Sequence, residues 1–462
     1  MNYFFVLLLS TLTTLGLTPM LIRLASRMNL LDFPGERKIH SAPIPRVGGV
    51  AMVLGTIPAL LLYGGFDQLT SVLLTGTAVI VAFALVDDTV GLGYKTKFLG
   101  QTLAALIVIL IGQLNVFSSL FHSIEINWPL WFTLPFTLLV ILAVTNAINL
   151  ADGLDGMAGG IMIQVFICLA LVSYHGHNTF TTLLAVAVVG ALFGFLRFNT
   201  HPAVIFMGDT GSQVLGFLAI VLTLGLLQTN QALSPFISLL LFAVPVIDTA
   251  VVMVERISKG GSPFVADKNH LHHKLIRMGL RHSEAVLTVY IFQAFFVVSA
   301  YWLRFSTSWF VLAYFFASIL FLLLPIYWLS ASGHQFRNTG TIDANGTSRT
   351  RFLDGSTLSL LRYAQKTLEY GLPAILFATA FLPAIPSLPL TVSSVLLLGG
   401  GIVAAFRGGS WPLVLIRIIT YFYLPFVFLN CLAGMEPWAD QAVFWYSSLY
   451  ILVGFAAVLV HT

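Results

Sequence analysis

The sequence predicts an all-α, polytopic transmembrane helix bundle, an eleven-helix core followed by about four further C-terminal helices. Three observations carry that prediction. Only 9% of the 462 residues are charged and 58% are hydrophobic, a balance that excludes the ordinary soluble globular classes. Apolar runs recur at close to the roughly 20 residues that a helix needs to cross a bilayer. Lys and Arg gather in alternate loops, as they do when one side of a membrane retains positive charge.

The first run, FFVLLLSTLTTLGLTPMLI, lacks a basic leader and a small-residue cleavage site, and it ends in Arg23 and Arg27. It reads as a retained span with its N-terminus outside, not as a secretion signal. Counting it as residues 3–22, spans follow near 47–63, 70–86, 98–114, 129–146, 157–174, 178–197, 212–228, 235–254, 286–303 and 308–330. Residues 1–330 thus form a core, 331–370 read as a polar cytoplasmic linker, and 371–462 as a transmembrane extension with candidates near 371–387, 389–406, 411–433 and 442–460. This topology sends Arg37, Lys38, Arg46, Lys95, Lys97, Arg197, Arg256, Lys259, Lys268, Lys274, Arg277 and Arg281 to the cytoplasmic side and leaves Arg304 outside. Cys168 and Cys431 both fall inside apolar runs and read as inert core residues.

Five polar segments collect on the cytoplasmic side: DFPGERKIHSAPIPRVGG (32–49), VDDTVGLGYKTKFLGQ (86–101), NAINLADGLDGMAGG (146–160), FNTHPAVIFMGDTGSQ (198–213) and ADKNHLHHKLIRMG (266–279). They place Asp87, Asp88, Asp152, Asp155 and Asp209 at helix ends on one face. Five carboxylates brought together repel unless protons or a cation intervene. A hard divalent ion suits them, and magnesium completes its shell with water and phosphate oxygens, which implies a phosphate-bearing substrate. The alternative is that the acids cap helices or pair with neighbouring Lys and Arg.

Gly153, Gly156, Gly159 and Gly160 let the backbone approach a ligand. In GDTGS, Gly208 and Gly211 flank Asp209 just before a helix, whose free N–H groups favour anions. Phe206 is a candidate to cover a planar base or, as readily, a core residue. His270, His272 and His273, with Lys268 and Lys274, are suited to hold a pyrophosphate and offset charge on a leaving phosphate. Zinc is disfavoured there, because no cysteine is near and the neighbours are cationic. Asp248 lies within the ninth span, where an acid is either functional or paired with the break near Pro245 or with Arg256.

These motifs resemble those of the polyprenyl-phosphate N-acetylhexosamine-1-phosphate transferases, integral membrane enzymes that begin bacterial lipid-linked glycan synthesis. Asp87, Asp88, Leu92 and Lys97 are similar to the family's acidic signature, NAINLADGLDGMAGG to its second and FMGDTGS to its third. DKNHLHHK is similar to the histidine motif of members that use UDP-N-acetylglucosamine, rather than to the PLHHH-type loop of the muramoyl-pentapeptide branch. The resemblance spans residues 1 to about 330, and the tail lies outside it.

The resemblance implies magnesium (with Mn2+ as a substitute), a cytoplasmic UDP-N-acetylhexosamine donor, and undecaprenyl phosphate as acceptor within the bilayer. It matches Asp209 to the family's magnesium ligand and Asp87 and Asp88 to the pair near the metal and acceptor phosphate; Asp88 is then expected to share the metal with Asp209, and Asp87 to take any residual proton from the lipid phosphate. Asn149, Asp152 and Asp155 are expected to line the nucleotide pocket, and Asn199 and Phe206 its uridine side. Lys97 is expected to contact the acceptor phosphate, and Arg46, His270, His272 and His273 to surround the donor. A homodimer is compatible with the family, and no nucleic acid is expected as a partner. The implied reaction transfers a sugar 1-phosphate, most naturally that of N-acetylglucosamine, and releases UMP. The competing class is a secondary transporter for a phosphorylated solute, but such sites lie near the midplane between internal repeats. Here the polar groups sit at one face, and no internal repeat is visible.

Overall fold

The computed structural model describes residues 3–28, 30–33, 43–64, 68–117, 128–260, 269–333 and 335. All belong to the first of two compact units, Met1–Thr339. The linker beyond 335 and the four predicted C-terminal helices lie outside the described residues, as do Arg37, Lys38, Lys268 and Cys431.

The core is built of helices α1 (Tyr3–Ala25), α2 (Gly48–Tyr63), α3 (Gln68–Val90), α4 (Tyr94–Leu110), α5 (Leu130–Leu150), α6 (Met157–His175), α7 (Thr179–Asn199) and α8 (Gly208–Thr229). After these come α9 (Ile237–Leu241), α10 (Ala243–Ser258), α11 (Leu271–Arg277), α12 (His282–Trp302), α13 (Ser308–Ser318) and α14 (Leu324–Ala331). Each of the eleven predicted spans coincides with one helix or one broken pair. Eight described helical segments are long and apolar enough to cross a membrane. The protein is a multi-pass membrane protein.

α8 is the axis of the bundle: 94% of its apolar window is buried, against 28% for α1. It packs on α2, α3, α5 and α6, while α1 closes against α2 and α7. Close approach is bought with small residues, since a Cβ on Gly49 would lie 2.1 Å from the Gly211 nitrogen. The N-terminal ends of α2 and α8 therefore meet backbone to backbone.

One predicted span is broken and another carries a π-helical turn, and a proline accompanies each. Pro245 has no N–H to give the Leu241 carbonyl four residues back, so the ninth span breaks at Phe242. The freed carbonyl accepts instead from the Gln293 side-chain amide of α12 at 2.8 Å. Between α13 and α14 a π-helical turn over Ile319–Leu323 precedes Pro325, which starts the next helix.

One end of the bundle carries a short antiparallel pairing, β1 (Leu31–Asp32) with β2 (Ile44–Pro45). It is stitched to the 200–207 loop: Phe206 N–H donates to Pro45 O at 2.8 Å, Gly48 N–H to Phe206 O at 3.0 Å, and Gly49 N–H to Met207 O at 2.8 Å. Segments far apart in sequence thereby share one rim.

Candidate active site

α8 starts at Gly208, four residues ahead of the apolar run predicted from 212, so Asp209 belongs to its first turn. Asp88, near the end of α3, makes that start possible. Its Oδ1 accepts the Asp209 N–H at 2.9 Å, and its Oδ2 accepts the Thr210 N–H at 3.0 Å and the Thr210 hydroxyl at 2.7 Å. The first N–H groups of a helix have no acceptor within it, and a carboxylate there also meets the positive end of the helix dipole. Gly208 is required for this contact, since its φ is +71° and a Cβ would lie 2.8 Å from Asp88 Oδ2.

Lys97, in the first turn of α4, places Nζ 2.6 Å from Asp87 Oδ2 and 2.6 Å from Asp209 Oδ2. Asp87 Oδ1 accepts the Leu92 N–H at 2.6 Å. The Asn149 amide donates to Asp209 Oδ1 at 3.2 Å and to the Ser212 hydroxyl at 2.8 Å. The convergence expected of the acids is present, and the cation between two of them is the chain's own ammonium. One turn deeper, Gln101 on α4 donates to Gln213 on α8 at 3.0 Å and accepts from Asn146 on α5 at 2.6 Å. This buried amide layer fixes the relative register of the three helices that carry Lys97, Asn149 and Asp209.

The 151–156 loop is held from three sides. Asn199 Oδ1 accepts the Gly156 N–H at 2.9 Å and Asn199 Nδ2 donates to Ile205 O at 2.8 Å. Tyr290 donates its hydroxyl to Gly156 O at 2.6 Å, and Gly156 itself has a φ of +79°. Asp155 Oδ2 accepts the Ala203 N–H at 3.1 Å and pairs with His201 Nδ1 at 2.7 Å. The His282 ring stacks on His201 with centroids 4.1 Å apart. Asp152, partly exposed, lies among Asp209, Asp155 and Asp88; burial first, and then these charges, push its carboxyl up to about 7.

The histidine segment forms α11. His272 is buried, with Nε2 2.2 Å from where a Cβ on Gly153 would be, so the absent side chain of Gly153 is the seat of this ring. Burial, then the neighbouring His273, lowers the His272 imidazole to about 3, and it is neutral at physiological pH. The His273 ring lies 4.2 Å from that of His272.

Several expectations are corrected. Asn199 does not offer a free amide to a base: it is 3% exposed and both ends of its side chain are spent on backbone. Lys274 is not available to a pyrophosphate, because its ammonium pairs with Glu255 and lies 4.5 Å over the Tyr327 ring. Asp248 binds His270, Leu271 and Tyr327, and neither Arg256 nor the break at Pro245 is the partner these bonds define. Arg46 pairs with the buried Asp32 across the β1–β2 pairing, beside Gly208, while Phe206 is partly exposed on the same rim. His201, His282, Tyr290 and Ser212 were not singled out from sequence. His201 lies in the polar segment 198–213, which marks it, but nothing local marks Tyr290, 134 residues from the carbonyl it bonds.

A multi-pass helical membrane protein with an acid-rich, Lys-bridged cluster at one rim defines the class. Residues 70–227, which contain the cluster, match glycosyl transferase family 4. The chain is 35% identical over 320 residues to the "probable undecaprenyl-phosphate N-acetylglucosaminyl 1-phosphate transferase" of Bacillus subtilis, covering 68% of this chain and 88% of that relative. It is 34% identical over 302 residues to the decaprenyl-phosphate N-acetylglucosaminephosphotransferase of Mycobacterium tuberculosis, covering 58% and 74%. Identity is 28% over 307 residues to the undecaprenyl-phosphate alpha-N-acetylglucosaminyl 1-phosphate transferase of Escherichia coli, covering 63% and 82%. The chain belongs to glycosyl transferase family 4.

Proposed function

We propose that the protein transfers N-acetylglucosamine 1-phosphate from UDP-N-acetylglucosamine to undecaprenyl phosphate, releasing UMP and starting a lipid-linked glycan. The observation that carries this reading is the Asp87–Lys97–Asp209 bridge at the first turn of α8, a site for phosphate groups at a membrane rim. The relatives' names support the sugar and the polyprenyl acceptor. The basic loops support a cytoplasmic rim, an outside N-terminus and residence in the bacterial inner membrane. A homodimer belongs to the same reading.

In phosphoryl transfer there is little covalent work for a protein, so positioning and charge neutralisation carry the rate. An oxygen of the acceptor phosphate attacks the β-phosphorus of the donor, the bond from that phosphorus to the bridging oxygen breaks, and UMP leaves with the oxygen. Lys97 suits the acceptor phosphate, since its ammonium already attracts anionic oxygen. Asp87 would take any residual proton from that phosphate, a modest role because a phosphate monoester is largely ionised at neutral pH. Asp152, Asp155 and Asn149 would receive the nucleotide, with His272 against Gly153 and His273 beside it.

The oxygen donors here fit a hard divalent cation, and two of them, on Asp87 and Asp209, already share one positive group, the Lys97 ammonium. Asp209 would hold magnesium or manganese, with the unused lone pair of Asp88 Oδ1, and a bound ion would supply Lewis-acid stabilisation of the donor's pyrophosphate. The test is UMP release by purified protein given UDP-N-acetylglucosamine and undecaprenyl phosphate, with magnesium and with EDTA. Magnesium-dependent release with a matching lipid product is expected; none from folded protein would overturn the reading.

A further inference from the structure

Asp248 is a carboxylate buried in the wall of the bundle, 7% exposed and ten residues before the end of α10, about 15 Å down that helix. A charge in such a place is retained only if its lone pairs are used. Three donors use them. His270 Nδ1 lies 2.9 Å from Oδ2, and Oδ1 accepts both the Leu271 N–H at 2.7 Å and the Tyr327 hydroxyl at 2.8 Å.

The Leu271 N–H is the first of α11, and His270 at its N-cap gives the helix no side-chain hydrogen bond. Asp248 therefore supplies from a neighbouring helix what an Asn or Ser cap supplies locally. Because a carboxylate only accepts, it also fixes the proton of His270 on Nδ1 and sets the plane of the ring. The His270 and His272 rings lie within 6° of parallel, 5.9 Å apart. A second clamp holds the same short helix: Glu255, seven residues after Asp248 and so on the same face of α10, takes Lys274, whose ammonium also covers Tyr327. The seat must be accurate, since His272 fills the space that any side chain at Gly153 would occupy.

We infer that Asp248, seconded by Tyr327, is a positioning residue for the donor: it fixes the start of α11 and the orientation of His270, and so seats His272 against the loop at Gly153, with His273 beside it. It rests on the transferase reading and deepens it, assigning the ninth and eleventh spans a part in nucleotide-sugar use beside the residues of the acid cluster.

The experiment uses the full chain in detergent, with Asp248→Asn and Tyr327→Phe. Donor KM, acceptor KM, kcat and calorimetric UDP binding are measured on each, beside the thermal midpoint. Losing one hydrogen bond to a charged group is expected to raise donor KM and the UDP dissociation constant about tenfold in Asp248→Asn, with a smaller rise in Tyr327→Phe. Acceptor KM should stay within about twofold, as uniform weakening is expected only of groups that serve both substrates. If both KM values move together, or kcat falls with UDP affinity unchanged, Asp248 does not act through the donor seat and the inference fails. Should Asp248→Asn not fold, Tyr327→Phe decides alone, and an unchanged donor KM there overturns it. A parent protein that releases no UMP would instead defeat the transferase reading.

Discussion

Lys97 holds two carboxylates that would otherwise face each other, and it competes with any cation for the same oxygens. Lys97→Met keeps the bulk and removes the charge. Without divalent ions its melting temperature should fall, since the two carboxylates lose the cation they share. Its rise on adding magnesium should exceed the parent's, while UMP release drops by roughly two orders of magnitude. A magnesium-induced rise no larger than the parent's would show that the ammonium and the ion do not compete. Asp152 gives a second residue-scale expectation, with a defined sign. Its carboxyl titrates at about 7 in the folded protein and near 3.9 in an unfolded chain, so the stability it contributes is complete at acid pH and lost as pH rises through 7. Asp152→Asn cannot ionise, and in magnesium-free buffer its melting temperature should gain on the parent's between about pH 5 and pH 8. A difference that stays constant across that range would remove the assignment.

Among the elements, α8 couples sequence to chemistry most directly. Its first turn exists where it does because Asp88 accepts two of its N–H groups, and Gly208 is the residue that allows the approach. Gly208→Ala should cost about 1–3 kcal/mol from the left-handed φ alone, and should also depress UMP release by shifting Asp209. Gly225, on the same helix with nothing within 4 Å of a Cβ, is the control: Gly225→Ala should be neutral or stabilise by roughly 0.5–1 kcal/mol. Thermal midpoints and turnover on both variants decide it; equal effects at the two sites would detach Gly208 from the Asp88 contact. The amide layer of Gln101, Asn146 and Gln213 belongs to the same scale, since it holds three helices in register beneath their functional side chains.

At the scale of the molecule, the hydrogen bonds and ion pairs described for the site join residues between Leu30 and Tyr327. These residues all belong to the unit Met1–Thr339. A chain ending after residue 335 should insert and keep magnesium-dependent UMP release of the same order as the full protein. Complete loss of release from a correctly inserted truncation would make residues 336–462 part of the catalytic unit.

The spans of the described core, the shared rim and the acids of that rim were legible in the sequence, because lipid demands long apolar helices and tolerates charge only at their ends or where it has a partner. Periodicity did not reveal the starts and breaks of helices: α8 begins early because of a carboxylate 121 residues away, and the ninth span breaks because a distant glutamine can take the carbonyl that Pro245 abandons. The partners of Asn199, Lys274 and Asp248 were equally hidden. Local sequence states which groups need a partner, since hydrogen-bonding capacity is a property of the residue. Which partner answers is decided only when helices remote in sequence pack side by side, and that packing set Lys97 between two acids and Asp248 beneath the histidine helix.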